Sequence, residues 1–140
     1  MKITIDGPAG SGKSTVAKIL ADKLGFFYID SGSLYRAFAW ALQRYSISDE
    51  NIEDFTKKFK VDYKWKNKKA VLNIDGEDIS AAIRTQEISK KTSETAKISC
   101  VRDLITALQR EIGSKNNVVL EGRDAGTIVF PEAEIKFFVN

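Results

Sequence analysis

The sequence predicts an α/β fold: a parallel sheet with helices on both faces and a small β-rich insertion. Three observations carry this. The first 45 residues alternate short apolar runs with stretches of helical period. A glycine-rich turn joins the first run to the first helical stretch. Two later apolar runs, 118–120 and 135–139, are suited to central strands.

In order along the chain, Lys2 to Asp6 reads as a strand, with Ile3 and Ile5 apolar. Lys13 to Leu24 is a helix whose apolar face is expected to hold Val16, Ile19, Leu20 and Leu24, and Gly25 is its stop signal. Phe26 to Ile29 is a buried strand. Leu34 to Leu42 is helical again, with Leu34, Ala37, Phe38, Ala41 and Leu42 on one side. Ile52, Phe55 and Phe59 suggest a short helix. Val61, Tyr63 and Trp65 alternate, as do Ala70, Leu72 and Ile74, with Asn67-Lys68-Lys69 between them, which is the pattern of a hairpin. Asp75-Gly76 marks another turn, so about 61–85 is the β-rich insertion. Helices are expected near 86–98 and at 101–112, where Val101, Leu104, Ile105, Leu108 and Ile112 form a stripe. The final apolar run reaches Asn140 with no covering helix after it, so the sequence reads as the N-terminal part of a longer domain.

Composition narrows the function classes. With 22 basic and 19 acidic residues, the net charge of +3 is too small to argue for a nucleic-acid partner. The chain has no histidine, which removes imidazole acid–base catalysis and the usual zinc sites. The single cysteine, Cys100, allows no internal disulfide and fits a reducing compartment. Asp6 and the glycines interrupt the first apolar run, so no signal peptide is expected. No stretch approaches the roughly 18 apolar residues of a membrane span. The expected setting is cytoplasmic, without a membrane, and the expected state is a monomer.

Residues Gly7-Pro8-Ala9-Gly10-Ser11-Gly12-Lys13-Ser14 match G-x-x-x-x-G-K-[ST] in full. Glycines let successive backbone N–H groups turn inward around phosphate oxygens, where a Cβ would crowd the ligand. The helix that follows adds its positive end. Lys13 is expected to reach the β- and γ-phosphates of ATP, Ser14 to hold Mg²⁺ through its hydroxyl, and Thr15 to close the set of ATP contacts. The rival GTPase pattern is not met. N-K-x-D does not occur, and the one D-x-x-G, Asp22 to Gly25, lies inside the first helix.

Ligands of parallel sheets sit outside the carboxyl ends of the strands. By that rule the loops after 26–29 and 118–120 join the phosphate loop at one edge, bringing Asp30, Ser31, Arg36, Glu121, Arg123 and Asp124 with them. Two arginines beside ATP suggest a second anionic group, because guanidinium pairs with phosphate in a bidentate way. Structural salt bridges to Asp30 or Asp124 are the alternative for these arginines. A kinase acting on a phosphorylated small molecule follows. Its chemistry needs positioning and charge stabilisation more than a strong base.

At this point the sequence resembles the cytidylate kinase family. The resemblance rests on I-D-G-P-A-G-S-G-K-S at 5–14, D-S-G-S-L-Y-R at 30–36, I-R-T at 83–85 and G-R-D-A-G-T-I-V-F-P-E-A at 122–133, in order and spacing. It implies transfer of the ATP γ-phosphoryl group to CMP or dCMP. It also implies that Ser31, Arg36 and Arg123 bind the CMP phosphate, and that Ser93, Arg102 and Asp124 read the cytosine, with Tyr35 beside them. A carboxylate such as Asp124 suits the exocyclic N4 amino group. Lys13, Arg123 and Asp124 become the expected catalytic residues, and residues 1–140 one kinase core whose 61–85 insertion resembles the family's monophosphate-binding part. Glu121 stands where the family commonly has Asp, and is expected to orient water on Mg²⁺. The family's lid arginines and ribose-binding carboxylate have no counterpart in this sequence, so little turnover is expected from these 140 residues by themselves. Two other readings share the loop: another small kinase of this class, and a nucleotide-binding piece without turnover.

Overall fold

The computed structural model describes residues 1–140. Its elements are β1 (Lys2–Asp6), α1 (Lys13–Leu24), β2 (Phe27–Ile29), α2 (Ser31–Arg44), α3 (Ile52–Thr56), β3 (Asp62–Lys66), β4 (Lys69–Ile74), β5 (Glu77–Asp78), α4 (Gln86–Thr95), α5 (Ser99–Lys115), β6 (Val118–Gly122) and β7 (Ile135–Phe138). The fold is α/β: a four-stranded parallel sheet flanked by helices, and a separate three-stranded sheet. No helix is long and apolar enough to cross a membrane. The chain divides into two units, one of residues 1–30, 67–69 and 108–140, the other of residues 31–66 and 70–107.

The first unit holds the parallel sheet, in the order β2-β6-β1-β7. Ile3 lies opposite Val119 on one side and Ile135 on the other. Ile3, Ile5, Ile29, Val118, Val119 and Leu120 are all nearly inaccessible to solvent. That explains why these strands read as continuous apolar runs: both faces are covered, so alternation has no purpose. Helix α1 packs on β6 and β2. It ends at Gly25, whose left-handed backbone (φ 69°) turns its N–H back onto the Ala21 and Asp22 carbonyls.

The helix α1 forms with the expected bounds, but its stripe of large apolar residues is not the face it buries. Val16, Ile19 and Leu24 are exposed and Leu20 is half-buried, while Ala17 and Ala21 are fully buried. Small side chains let this helix approach its sheet closely, so the larger residues are turned outward. Within these 140 residues β7 pairs with β1 alone, and all four of its residues are exposed.

In the second unit, α2 packs against α4 and buries Leu34, Ala37, Phe38, Ala41 and Leu42, the stripe the spacing predicts. Phe38, Phe55 and Phe59 form a cluster, with ring centroids 5.6 Å apart for Phe38–Phe55 and 5.2 Å for Phe38–Phe59. α2 starts at Ser31, immediately after β2, so 31–36 are its first turns rather than a loop. The predicted hairpin forms as β3 and β4. Its two turn residues, Asn67 and Lys68, which are counted with the first unit, both take left-handed backbone angles (φ 52° and 63°), as the tightest hairpin connections require. A second such turn at Asp75-Gly76 leads into β5, which pairs antiparallel with β4. α4 is shorter than expected and α5 longer. Thr85 caps α4, its hydroxyl accepting from the Ile88 N–H at 3.2 Å.

Candidate functional site

The phosphate loop lies in the first unit between β1 and α1. Its entry is fixed by backbone: the Gly7 N–H donates to the Gly122 carbonyl at 3.1 Å, and the Val139 N–H to the Asp6 carbonyl at 2.8 Å. A Cβ on Gly7 would fall on the Val139 carbonyl oxygen, so only glycine fits there. Gly10 and Gly12 hold left-handed angles (φ 80° and 81°), which a side chain would strain. Gly12 caps α1 without any side-chain hydrogen bond. The free N–H groups of the first turn, at the positive end of the helix dipole, are therefore open to an anion. The Ser11 hydroxyl is buried without a hydrogen-bond partner. A buried unpaired hydroxyl is costly, and a phosphate oxygen would satisfy it.

Lys13 is held at this loop. Its Nζ donates to the Pro8 carbonyl at 3.3 Å and lies 3.9 Å from Glu121 Oε2. Glu121 and Gly122 belong to β6, not to the loop after it. The Tyr28 hydroxyl, from the middle residue of β2, donates to Glu121 Oε1 at 3.2 Å and accepts from the Ser14 hydroxyl. Burial pushes the Tyr28 phenol well above its usual range. The Ser14 bond offsets part of that, and the Glu121 and Asp30 charges push it further up. Lys13, Ser14, Tyr28 and Glu121 thus form one connected polar group. Tyr28 is the member that sequence reasoning missed. Its only signal is a hydroxyl near the carboxyl end of an otherwise apolar strand.

The donors here suit a hard divalent cation that shares its coordination with phosphate. The Ser14 hydroxyl and Glu121 carboxylate offer oxygen, and no group of three or more His, Cys, Asp or Glu residues forms a self-contained metal cage. Magnesium is commonly held by one or two protein oxygens plus substrate phosphates and water.

Arg123 and Asp124 follow β6 in the same unit, and both are exposed. Asp124 opens a π-helical turn, Ala125–Val129, and its side chain makes no capping bond. Such turns are rare and are frequent at functional sites.

The remaining predicted residues belong to the second unit. Ser31, Tyr35 and Arg36 lie on the first turns of α2, Ser93 on α4 and Arg102 on α5. Tyr35 and Arg102 come together: burial raises the Tyr35 phenol above its usual range, and the nearby Arg102 charge pulls it partly back. The Arg36 Nε is buried without a hydrogen-bond partner. Ser93 is exposed, its hydroxyl donating to the Ser89 carbonyl at 3.2 Å. Arg84, from the I-R-T segment, donates through Nη2 to the buried Ser33 hydroxyl at 3.1 Å.

Comparison with known proteins gives the family. A sequence model of the cytidylate kinase family matches residues 3–140. A cytidylate kinase of Solibacter usitatus is 45% identical over 99% of this chain and 59% of its own length. One from Thermosipho melanesiensis is 48% identical over 99% of this chain and 62% of its own. One from Caldanaerobacter subterraneus is 47% identical over 100% of this chain and 62% of its own. The chain therefore spans about 60% of the length of these relatives. With its phosphate loop intact and its match running from residue 3 to 140, the chain belongs to the cytidylate kinase family.

Proposed function

We propose that this chain carries the donor site and the acceptor-recognition residues of an ATP-dependent cytidylate kinase, which moves the γ-phosphoryl group of ATP to CMP or dCMP. The observation that carries the reading is the phosphate loop: an uncapped helix start, a buried unpaired Ser11 hydroxyl, and Lys13 held by the Pro8 carbonyl.

In this reading the N–H groups of residues 9–15 cradle the triphosphate, and Lys13 neutralises its β- and γ-oxygens. Mg²⁺, when bound, neutralises charge that develops on the transferring group. Ser14 and Glu121 would hold it, Glu121 through water. Tyr28 orients both through its hydrogen bonds to them. Arg123 pairs with phosphate oxygens, where its bidentate fork fits better than lysine would. Asp124 accepts from the cytosine amino group and so discriminates against uracil, which has an oxygen there. Ser31 and Arg36 are assigned to the acceptor phosphate, and Ser93, Arg102 and Tyr35 to the cytosine end. The orphaned Arg36 Nε supports its place in that set, because a buried unpaired donor is satisfied by an anionic ligand. The hairpin segment within 61–85 is proposed as the monophosphate-binding element of the core.

Calorimetric titration of CMP, dCMP and UMP into the chain tests the acceptor assignment. Saturable CMP binding with weaker UMP binding is expected, and equal affinity for the two would overturn it.

A further inference from the structure

Asp124 begins the turn that carries it, yet does not cap that turn. An aspartate at such a position ordinarily uses its carboxylate on the first free N–H groups. Here those donors are taken from across the sheet. The Ala125 N–H donates to Asp6 Oδ1 at 2.7 Å and the Gly126 N–H to Asp6 Oδ2 at 2.8 Å. Asp6 sits at the end of β1, with only 8% of its surface exposed. Both carboxylate oxygens are used, in the short charge-assisted geometry that makes such bonds strong.

The approach is close because residue 126 is glycine. A Cβ there would lie 2.7 Å from Thr4 Oγ1 and 3.2 Å from Asp6 Oδ2. The far end of the turn is tied independently: Arg110 donates through Nε to the Val129 carbonyl at 3.0 Å and through Nη2 to the Ile128 carbonyl at 2.6 Å. Asp6 is thus the tie at the end that Asp124 begins.

We infer that Asp6 is a positioning residue for acceptor recognition: by capping the 125–129 turn in place of Asp124, it leaves the Asp124 carboxylate free to read the cytosine. The inference rests on the assignment of Asp124 to cytosine. Without the Asp6 carboxylate, Asp124 is the nearest group able to cap its own turn, and doing so withdraws it from the base. The same residue therefore ends the strand that opens the phosphate loop and frees the carboxylate that selects the acceptor.

The test is Asp6→Asn, which keeps the size but sets an amide donor against one of the two N–H groups. ATP with Mg²⁺, CMP and UMP are titrated separately into the unaltered chain and the variant. Amide hydrogen exchange is followed at Ala125 and Gly126. CMP affinity is expected to fall about tenfold or more and the CMP-over-UMP preference to shrink, with ATP affinity within about twofold. Exchange at both amides should quicken. An unchanged CMP-to-UMP ratio in a folded variant overturns the inference, as does an equal loss for CMP and ATP, which would mark general damage. If the unaltered chain fails to bind CMP, the functional reading itself falls and this inference with it. Should Asp6→Asn not fold, Gly126→Ala probes the same contact, and adding Thr4→Ala should restore part of the CMP preference by removing the 2.7 Å clash.

Discussion

The Tyr28 hydroxyl donates to Glu121 Oε1 at 3.2 Å, linking the neighbouring strands β2 and β6 beside Lys13 of the phosphate loop. Since Tyr28 also accepts from Ser14, Tyr28→Phe removes two hydrogen bonds while keeping the ring. Affinity for ATP with Mg²⁺ should fall severalfold, and stability should drop by about 1–2 kcal/mol, read by urea denaturation.

The same residue gives a pH signature. In the unfolded chain a tyrosine ionises near pH 10. In the fold, burial holds Tyr28 neutral to higher pH. Above about pH 10 the unfolded state therefore binds fewer protons than the native state, and stability falls as pH rises. The contribution is complete below that pH and lost progressively above it. The denaturation midpoint should decline more steeply between about pH 9 and 11 in the unaltered chain than in Tyr28→Phe. Equal slopes would show that Tyr28 ionises normally.

Gly7→Ala places a methyl group against the Val139 carbonyl oxygen, a backbone atom that cannot rotate away. A loss of about 2 kcal/mol or more is expected, with a fall in melting temperature of roughly 8 °C or more by differential scanning calorimetry. A melting temperature unchanged from the parent would mean that β7 does not lie against the loop entry.

Lys68 holds a left-handed angle in the hairpin turn, where glycine is favoured. Lys68→Gly should raise stability by about 0.5–1 kcal/mol through relief of that strain. Thermal denaturation measures it, and a decrease would mean that the turn differs from the one described.

Arg102 is expected to act on the acceptor alone. Arg102→Ala should weaken CMP about tenfold and leave ATP within about twofold, by calorimetry. It should also raise the Tyr35 ionisation further, since the neighbouring charge now holds it down. Ultraviolet titration of the tyrosines reads that shift.

What was legible in the sequence follows from which forces are local. The phosphate loop is encoded in eight consecutive residues, because its backbone angles demand glycine at fixed places. The stripe of α2 and the alternation of β3 and β4 were equally readable, since each element buries one face. The face of α1 was not. Its spacing pointed to Val16, Ile19 and Leu24, but a helix lying close on a sheet selects small side chains, and Ala17 and Ala21 carry no strong hydrophobic signal. Tyr28 and Asp6 escaped for a related reason: their partners are about a hundred positions away, Glu121 for one and Ala125 and Gly126 for the other. No spacing rule reaches that far.

The most direct test of the central claim is calorimetric titration of ATP with Mg²⁺ into the chain and into Lys13→Ala. Lys13 sits at the loop through the Pro8 carbonyl and beside Glu121. Saturable binding by the unaltered chain, weakened about a hundredfold or more in the variant, is expected if the loop holds a triphosphate. Equal affinity in both proteins, or no binding in either, would contradict it.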